Sequence, residues 1–259
     1  MKKNQSHQEI PIGSFLYNDR SLVINAASKD RSKVLIKDFG IFDDNTNPVT
    51  FISDEYKEKI GDVSFGTMTA PLSCVSLFAR CSYLRHVDFT RFDMSRCTNV
   101  SYMFAGCRHL HHIIMDDMDT SSLEHADSMF TGCIRLEDAS LAGWKNPALK
   151  SVSHMFAGCK DMIVINLDGF RTDNVTDFAY MFTKCSSLTV LEMPDAVTRN
   201  GEDFTGMMSG CSELRRLDVQ NLSISKKAAI EGMLAGCELL SLGDVRQLAP
   251  TRIGLAFGL

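Results

Sequence analysis

Nine cysteines are the residues best able to do chemistry in this chain, and their spacing decides which kind. They lie at 74, 81, 97, 107, 133, 159, 185, 211 and 237. From Cys81 onward, setting Cys97 aside, every interval is 26 residues. Zinc sites use close pairs such as CxxC, and the sequence contains none. An odd number of thiols cannot pair completely within one chain. The expected role is one small buried thiol per repeat, in a reducing compartment. A second set is His86, His112 and Asp138, which share one position in three successive repeats. A His-His-Asp run could hold zinc, but a fourth ligand is missing, so no metal or other cofactor is expected. A third set is acidic. Glu192, Asp218 and Asp244 share another position, with Arg216 and Arg246 beside them. Like charges on adjacent strands repel, and either a basic partner or those arginines would relieve them.

Catalytic signatures are missing. There is no Gly-rich phosphate loop, no HExxH and no GxSxG. The cysteines fall at core positions, where a nucleophile would be inaccessible. A non-enzymatic chain is expected.

The element that positions all these residues is a repeat. Val100-Ser101-Tyr102-Met103-Phe104-Ala105-Gly106-Cys107 recurs as Val152-Ser153-His154-Met155-Phe156-Ala157-Gly158-Cys159. Seven copies align at period 26 without a gap. One column reads Phe78, Phe104, Phe130, Phe156, Phe182, Met208, Leu234, and others hold leucine, isoleucine and methionine just as regularly. Cys74 and Cys97 also fall in apolar columns, and Trp144 takes the place of a phenylalanine.

Spacing within a unit predicts its local structure. Leu188-Thr189-Val190-Leu191-Glu192-Met193 ends in apolar-polar alternation, the mark of a short half-buried strand. Val-x-x-Met-Phe has helical spacing, with Ser151 and Asp177 as N-caps just before it. Gly106, Gly132, Gly158, Gly210 and Gly236 precede cysteine where a helix end needs positive φ. Arg80 and Lys184 interrupt that column, so a different ending is expected there. The fold expected is an α/β leucine-rich-repeat solenoid, with one short parallel strand and one short helix per repeat.

The unit Met-Phe-x-Gly-Cys-x-x-Leu-x-x-Leu-Asp-Leu-x-x-Phe resembles the BspA-like leucine-rich repeat, common in bacterial surface proteins and mycoplasma lipoproteins. The resemblance runs from about Cys74 to Leu248. It implies a protein-binding module at a cell surface, an extracellular adhesin in the simplest case.

The expected organisation has four parts. Residues 1–20 form a flexible segment compatible with a secretion signal. Residues 21–73 form a cap, with a β-hairpin joining 21–25 to 33–37 and a degenerate repeat after it. In that repeat Ile60, Val63, Phe65 and Met68 reproduce the spacing of Leu84, Val87, Phe89 and Phe92. Residues 74–248 hold the seven repeats, and 249–259 close the array.

Function is expected on the outward positions of the strands, which line the concave face of such a fold. The partner-binding candidates are His86, Asp88, His112, Ile114, Asp116, Asp138, Asn166, Asp168, Glu192, Arg216, Asp218 and Asp244. A protein partner with a basic surface is expected. The chain's net charge of −5 argues against nucleic acid, and no apolar run reaches the ~18–20 residues of a membrane span. Two lysines open the sequence without an apolar stretch behind them. The expected location is cytoplasmic, or inside a host cell after export by a non-Sec, type III-like route, with the cell surface as alternative.

Overall fold

Each apolar column of the repeat becomes one continuous seam through the molecule. The computed structural model describes residues 14–16, 21–24, 33–36, 40–43, 57–58, 60–65, 67–218, 224–241 and 250–258. Its strands are β1 (Ser14–Leu16), β2 (Ser21–Ile24), β3 (Lys33–Ile36), β4 (Gly40–Asp43), β5 (Asp62–Phe65), β6 (Met68–Thr69) and β7 (His86–Asp88). They continue as β8 (Phe92–Asp93), β9 (His112–Ile114), β10 (Asp138–Ser140), β11 (Val164–Asn166), β12 (Val190–Glu192) and β13 (Arg216–Asp218). One helix, α1 (Pro250–Phe257), follows.

The repeats stack rung on rung with parallel pairing. In β9, β10 and β11, His112 lies opposite Asp138, which lies opposite Val164. Leu191 of β12 lies opposite Leu217 of β13. Outside the strands, bridges run Ser73, Asn99, His125, Ser151, Asp177, Asp203, Ala229, always one repeat apart. In front of the array β5 pairs in parallel with β7, placing Val63 opposite Val87, and Met68 lies opposite Phe92. Those registers carry the offset of 24 that separates the degenerate repeat from the first regular one.

The interior is a set of aligned seams. Phe78, Phe104, Phe130, Phe156 and Phe182 stack in series, with ring centroids 5.5, 5.4, 5.2 and 5.5 Å apart and nearly parallel planes. All nine cysteines are buried and unpaired. The Cys107 thiol donates to the Phe78 carbonyl of the preceding repeat at 3.1 Å, and Cys133, Cys159, Cys185, Cys211 and Cys237 repeat the contact. Cysteine thus combines an apolar body with a weak donor where a carbonyl needs one. Trp144 is fully buried, and its indole N–H donates to the Met115 carbonyl at 2.6 Å.

The helix expected in each repeat does not form. Val-x-x-Met-Phe folds instead as consecutive tight turns, and the amides explain why. In the first repeat the amides of Leu77, Ala79 and Cys81 bond three residues back, to Cys74, Ser76 and Phe78. The amides between them, on Cys74, Ser76, Phe78 and Arg80, cross to Asn99, Ser101, Met103 and Ala105 of the next repeat. Every second amide is therefore spent between repeats, whereas an α-helix keeps all of them within its own segment. Two residues per turn run are left-handed. One column is Ser76, Tyr102, Ser128, His154, Tyr180, Gly206 and Gly232, and the other is Arg80, Gly106, Gly132, Gly158, Lys184, Gly210 and Gly236. Arg80 and Lys184 adopt the same conformation as the glycines, at φ 65° and 60°, so the ending does not differ there. Ser151 and Asp177 do cap, but they accept from the amides of Ser153 and Ala179 to open a turn.

The ends are built differently from expectation as well. β2 pairs antiparallel with β1 and parallel with β5, while β3 pairs with β4. A hairpin joining 21–25 to 33–37 is thus not the pairing found. At the other end α1 lies against the last repeat. The amides of Gly232 and Leu234, which would point to an eighth repeat, donate to the carbonyls of Leu255 and Ala256.

Candidate functional site: the strand face

Each strand has one buried central residue and two outward ones, because successive side chains point to opposite faces. Val87, Ile113, Ala139, Ile165, Leu191 and Leu217 point inward. The outward residues of β7 and β9–β13 then form two columns. One is His86, His112, Asp138, Val164, Val190, Arg216, and the other is Asp88, Ile114, Ser140, Asn166, Glu192, Asp218. Asp116 and Asp168 follow the second column and are exposed. Of the expected residues, Asp244 lies outside the described residues. Asp218 has its backbone placed in β13.

Most of these polar side chains are engaged inside the chain. The Asp138 carboxylate pairs with His112 Nδ1 at 2.7 Å. Glu192 pairs with the Arg216 guanidinium, so this member of the acidic run is met from within. Asp88 accepts from the Thr90 amide at 2.9 Å, and this bond holds its carboxyl below the usual carboxylate range. Asn166 accepts from the Asp168 amide in the same way. Asp116 accepts from the Ala142 amide, one repeat on. Of the His86, His112 and Asp138 stack, only the last two are brought into contact. Among the described residues no group of three or more His, Cys, Asp and Glu side chains is arranged to hold a metal ion.

Apolar side chains on this face have no such engagement. Ile114 is 67% exposed and Val164 57% exposed, on rungs separated only by Asp138 and Ser140. Ile163 adds to them at 51% and was missed by reading the two strand columns alone. Its signal was present in the preceding column, where Arg85, His111, Glu137, Thr189 and Arg215 are otherwise polar.

The evenly spaced thiols are poor candidates for chemistry, and Cys97, whose pKa the Cys74 thiol lowers by hydrogen bonding, is itself buried. Burial pushes Cys81, Cys133 and Cys185 up to about 12 and Cys237 to about 11, so they stay protonated at neutral pH.

Residues 72–193 and 163–244 match the family described as Mycoplasma protein of unknown function, DUF285. The chain belongs to this family. The match spans the regular array, so the DUF285 unit here is the 26-residue rung with its three-residue strand and paired turns. No curated protein matches the chain. Among solved structures it is similar to a leucine-rich repeat protein of T. pallidum, at 15% identity and a TM-score of 0.37, over 70% of this chain and 91% of that one. It is also similar to a leucine-rich repeat protein of Bacteroides ovatus, at 14% identity and a TM-score of 0.30, over 93% and 97%. No helix among the described residues is long and apolar enough to cross a membrane.

Proposed function

We propose that this DUF285 chain is a non-enzymatic solenoid module that binds a protein partner on its strand face. The observation that carries the reading is the exposed apolar group of Ile114, Ile163 and Val164, set among polar side chains several of which are engaged within the chain. Protein interfaces have an apolar centre and a polar rim. Here His112, Asp116, Asp138, Asn166 and Asp168 supply that rim. Because Glu192 has Arg216, the partner need not be basic at that rung.

Comparative affinity capture tests the reading. Three baits are compared: wild type, Ile114→Asp with Val164→Asp, and Asp116→Lys with Asp168→Lys. The apolar variant should lose a partner that wild type retains, with both melting alike. The acidic variant should weaken it less. A partner indifferent to the apolar change would place binding elsewhere. Two settings suit such a module: a host cytosol reached by a non-Sec route, for which nine free thiols speak, or the outer surface of the cell. Surface labelling of intact cells separates them, since only a surface protein would be labelled.

A further inference from the structure

The edge formed by the ends of the turns carries a second, chemically different surface. Three neighbouring positions of the repeat meet there: the left-handed residue before the cysteine and the two residues after it. In the first five repeats they contribute Arg80, Arg108, Arg135, Lys160 and Lys184, one cation per rung, all exposed. Asp161 is the only carboxylate those positions hold in the same five repeats; Glu213 and Glu238 occupy them in the sixth and seventh. None of the five cations forms an ion pair among the described residues. By contrast Arg85, Lys150, Arg171, Arg215 and Arg216 each hold a carboxylate.

Two of the five occupy positions that the backbone would rather give to glycine. Arg80 and Lys184 are left-handed, whereas the other five repeats have glycine at that position. Such a conformation is unfavourable for a residue with a Cβ. Each side chain leans over the next rung: a Cβ placed on Gly106 would lie 3.7 Å from Arg80 Cγ, and one on Gly210 would lie 3.4 Å from Lys184 Cγ. Arg80 and Arg108 flank an open depression of about 390 Å³, floored by Ala105 and Gly106 and edged by Ser82 and Thr131. Beside it the exposed Tyr83 ring stacks on His109 at 5.2 Å.

We infer that this turn edge binds a linear sulfated polysaccharide, with one sulfate group seated near each successive cation. The row from Arg80 to Lys184 spans four rung steps, about 19 Å at the spacing of paired strands. A band of single charges, one per rung at three neighbouring positions, fits a chain of charged sugars. The hydroxyls of Ser82 and Thr131 and the flat Tyr83 ring suit sugar hydroxyls and ring faces. A protein partner would want an apolar centre, and the three positions of this edge offer only Ile134 and the Tyr83 ring in these five repeats. Single-stranded nucleic acid would want several stacking platforms, and a lipid surface would want a plane of cations rather than a band.

The experiment uses the full chain and a heparin octasaccharide, with its desulfated counterpart, phosphatidylserine vesicles and a single-stranded oligonucleotide as comparators. The edge variant combines Arg80→Gly, Arg108→Ser, Arg135→Ser, Lys160→Ser and Lys184→Gly. A control removes equal charge elsewhere through Arg91→Ser, Lys145→Ser, Arg199→Ser, Lys226→Ser and Lys227→Ser. Wild type should bind the sulfated octasaccharide, and the edge variant at least about tenfold more weakly, while the control stays within about twofold. The Arg80→Gly and Lys184→Gly changes should raise the melting temperature, so lost binding could not be blamed on a lost fold. Changing Ile114 and Val164 to Asp should leave this binding intact, which separates it from the strand-face reading. Equal loss in edge variant and control, no binding by wild type, undiminished binding of the desulfated chain, loss on changing Ile114 and Val164, or tighter binding to vesicles or oligonucleotide would each overturn the inference.

Discussion

The strand face and the turn edge are built from the same rungs, yet they treat charge in opposite ways. On the strand face two outward carboxylates are met by a side chain on the neighbouring rung, Asp138 by the His112 ring and Glu192 by the Arg216 guanidinium. On the turn edge the cations of five successive rungs have no ion pair among the described residues. A stacked repeat makes every position a neighbour of its own copy. Charge on successive rungs is then either met by a neighbouring position or left to accumulate, and each outcome leaves a different surface. The first leaves exposed apolar side chains as the distinctive feature, and the second leaves a field.

The two regions share one interior, and the largest expected effect is there. Phe156→Ala should cost about 3–5 kcal/mol, because Phe130 and Phe182 stack on it from both sides and the gap cannot close. Denaturant melts should show it, and both surfaces should fail together. A variant that kept its melting point would mean the seams are not the shared support. Next come the left-handed positions. Gly132→Ala should lose about 1 kcal/mol, since the space is open but φ is 72°. Arg80→Gly should gain up to about 1 kcal/mol, since relief of the strained backbone exceeds glycine's entropy cost. Thermal melts of the pair should move in opposite directions; parallel movement would erase the claim that the turn edge carries strain the strand face lacks.

Smaller effects sharpen the contrast in charge. Glu192→Gln should cost less than about 1 kcal/mol, as exposed ion pairs do, and should fade further at high salt. A double-mutant cycle with Arg216→Gln measures it. The smallest effect is expected at Asp177, whose carboxyl is raised by burial. A raised carboxyl is destabilising once ionised, so its cost grows as pH climbs through the folded value and vanishes below the ordinary one. Asp177→Asn keeps the acceptor for the Ala179 amide and should melt slightly higher than wild type at neutral pH. Equal melting at pH 7 would show that burial does not disfavour the charge.

Much of this was legible in the sequence, and the losses have identifiable causes. Period 26 gives the columns, and the columns give the core: Phe156, Cys159 and Leu167 are all buried as their positions require. The strands follow from the alternation around Leu191. The helix did not follow, because Val-x-x-Met-Phe spacing cannot reveal the sign of φ. Tyr102, His154 and Tyr180 sit left-handed with no residue type to betray it, and only Gly206 and Gly232 in the same column hint at turns. On the strand face the columns put Glu192 beside Arg216. They could not show that Asp88 and Asn166 point back to hold the amides of Thr90 and Asp168. A short polar side chain reads alike whether it faces solvent or its own backbone.

The helix α1 has a consequence for how many molecules the fold contains. A ladder of identical rungs is a crystal in one dimension, and nothing in an interior rung says where growth should stop. Leu255 and Ala256 say it, by taking the amides of Gly232 and Leu234 with carbonyls that belong to no further rung. Without them the final rung would present unsatisfied donors at the spacing every other rung uses, a seed for end-to-end addition of other chains. Eight residues of helix thus make a finite object out of a pattern that is periodic by design.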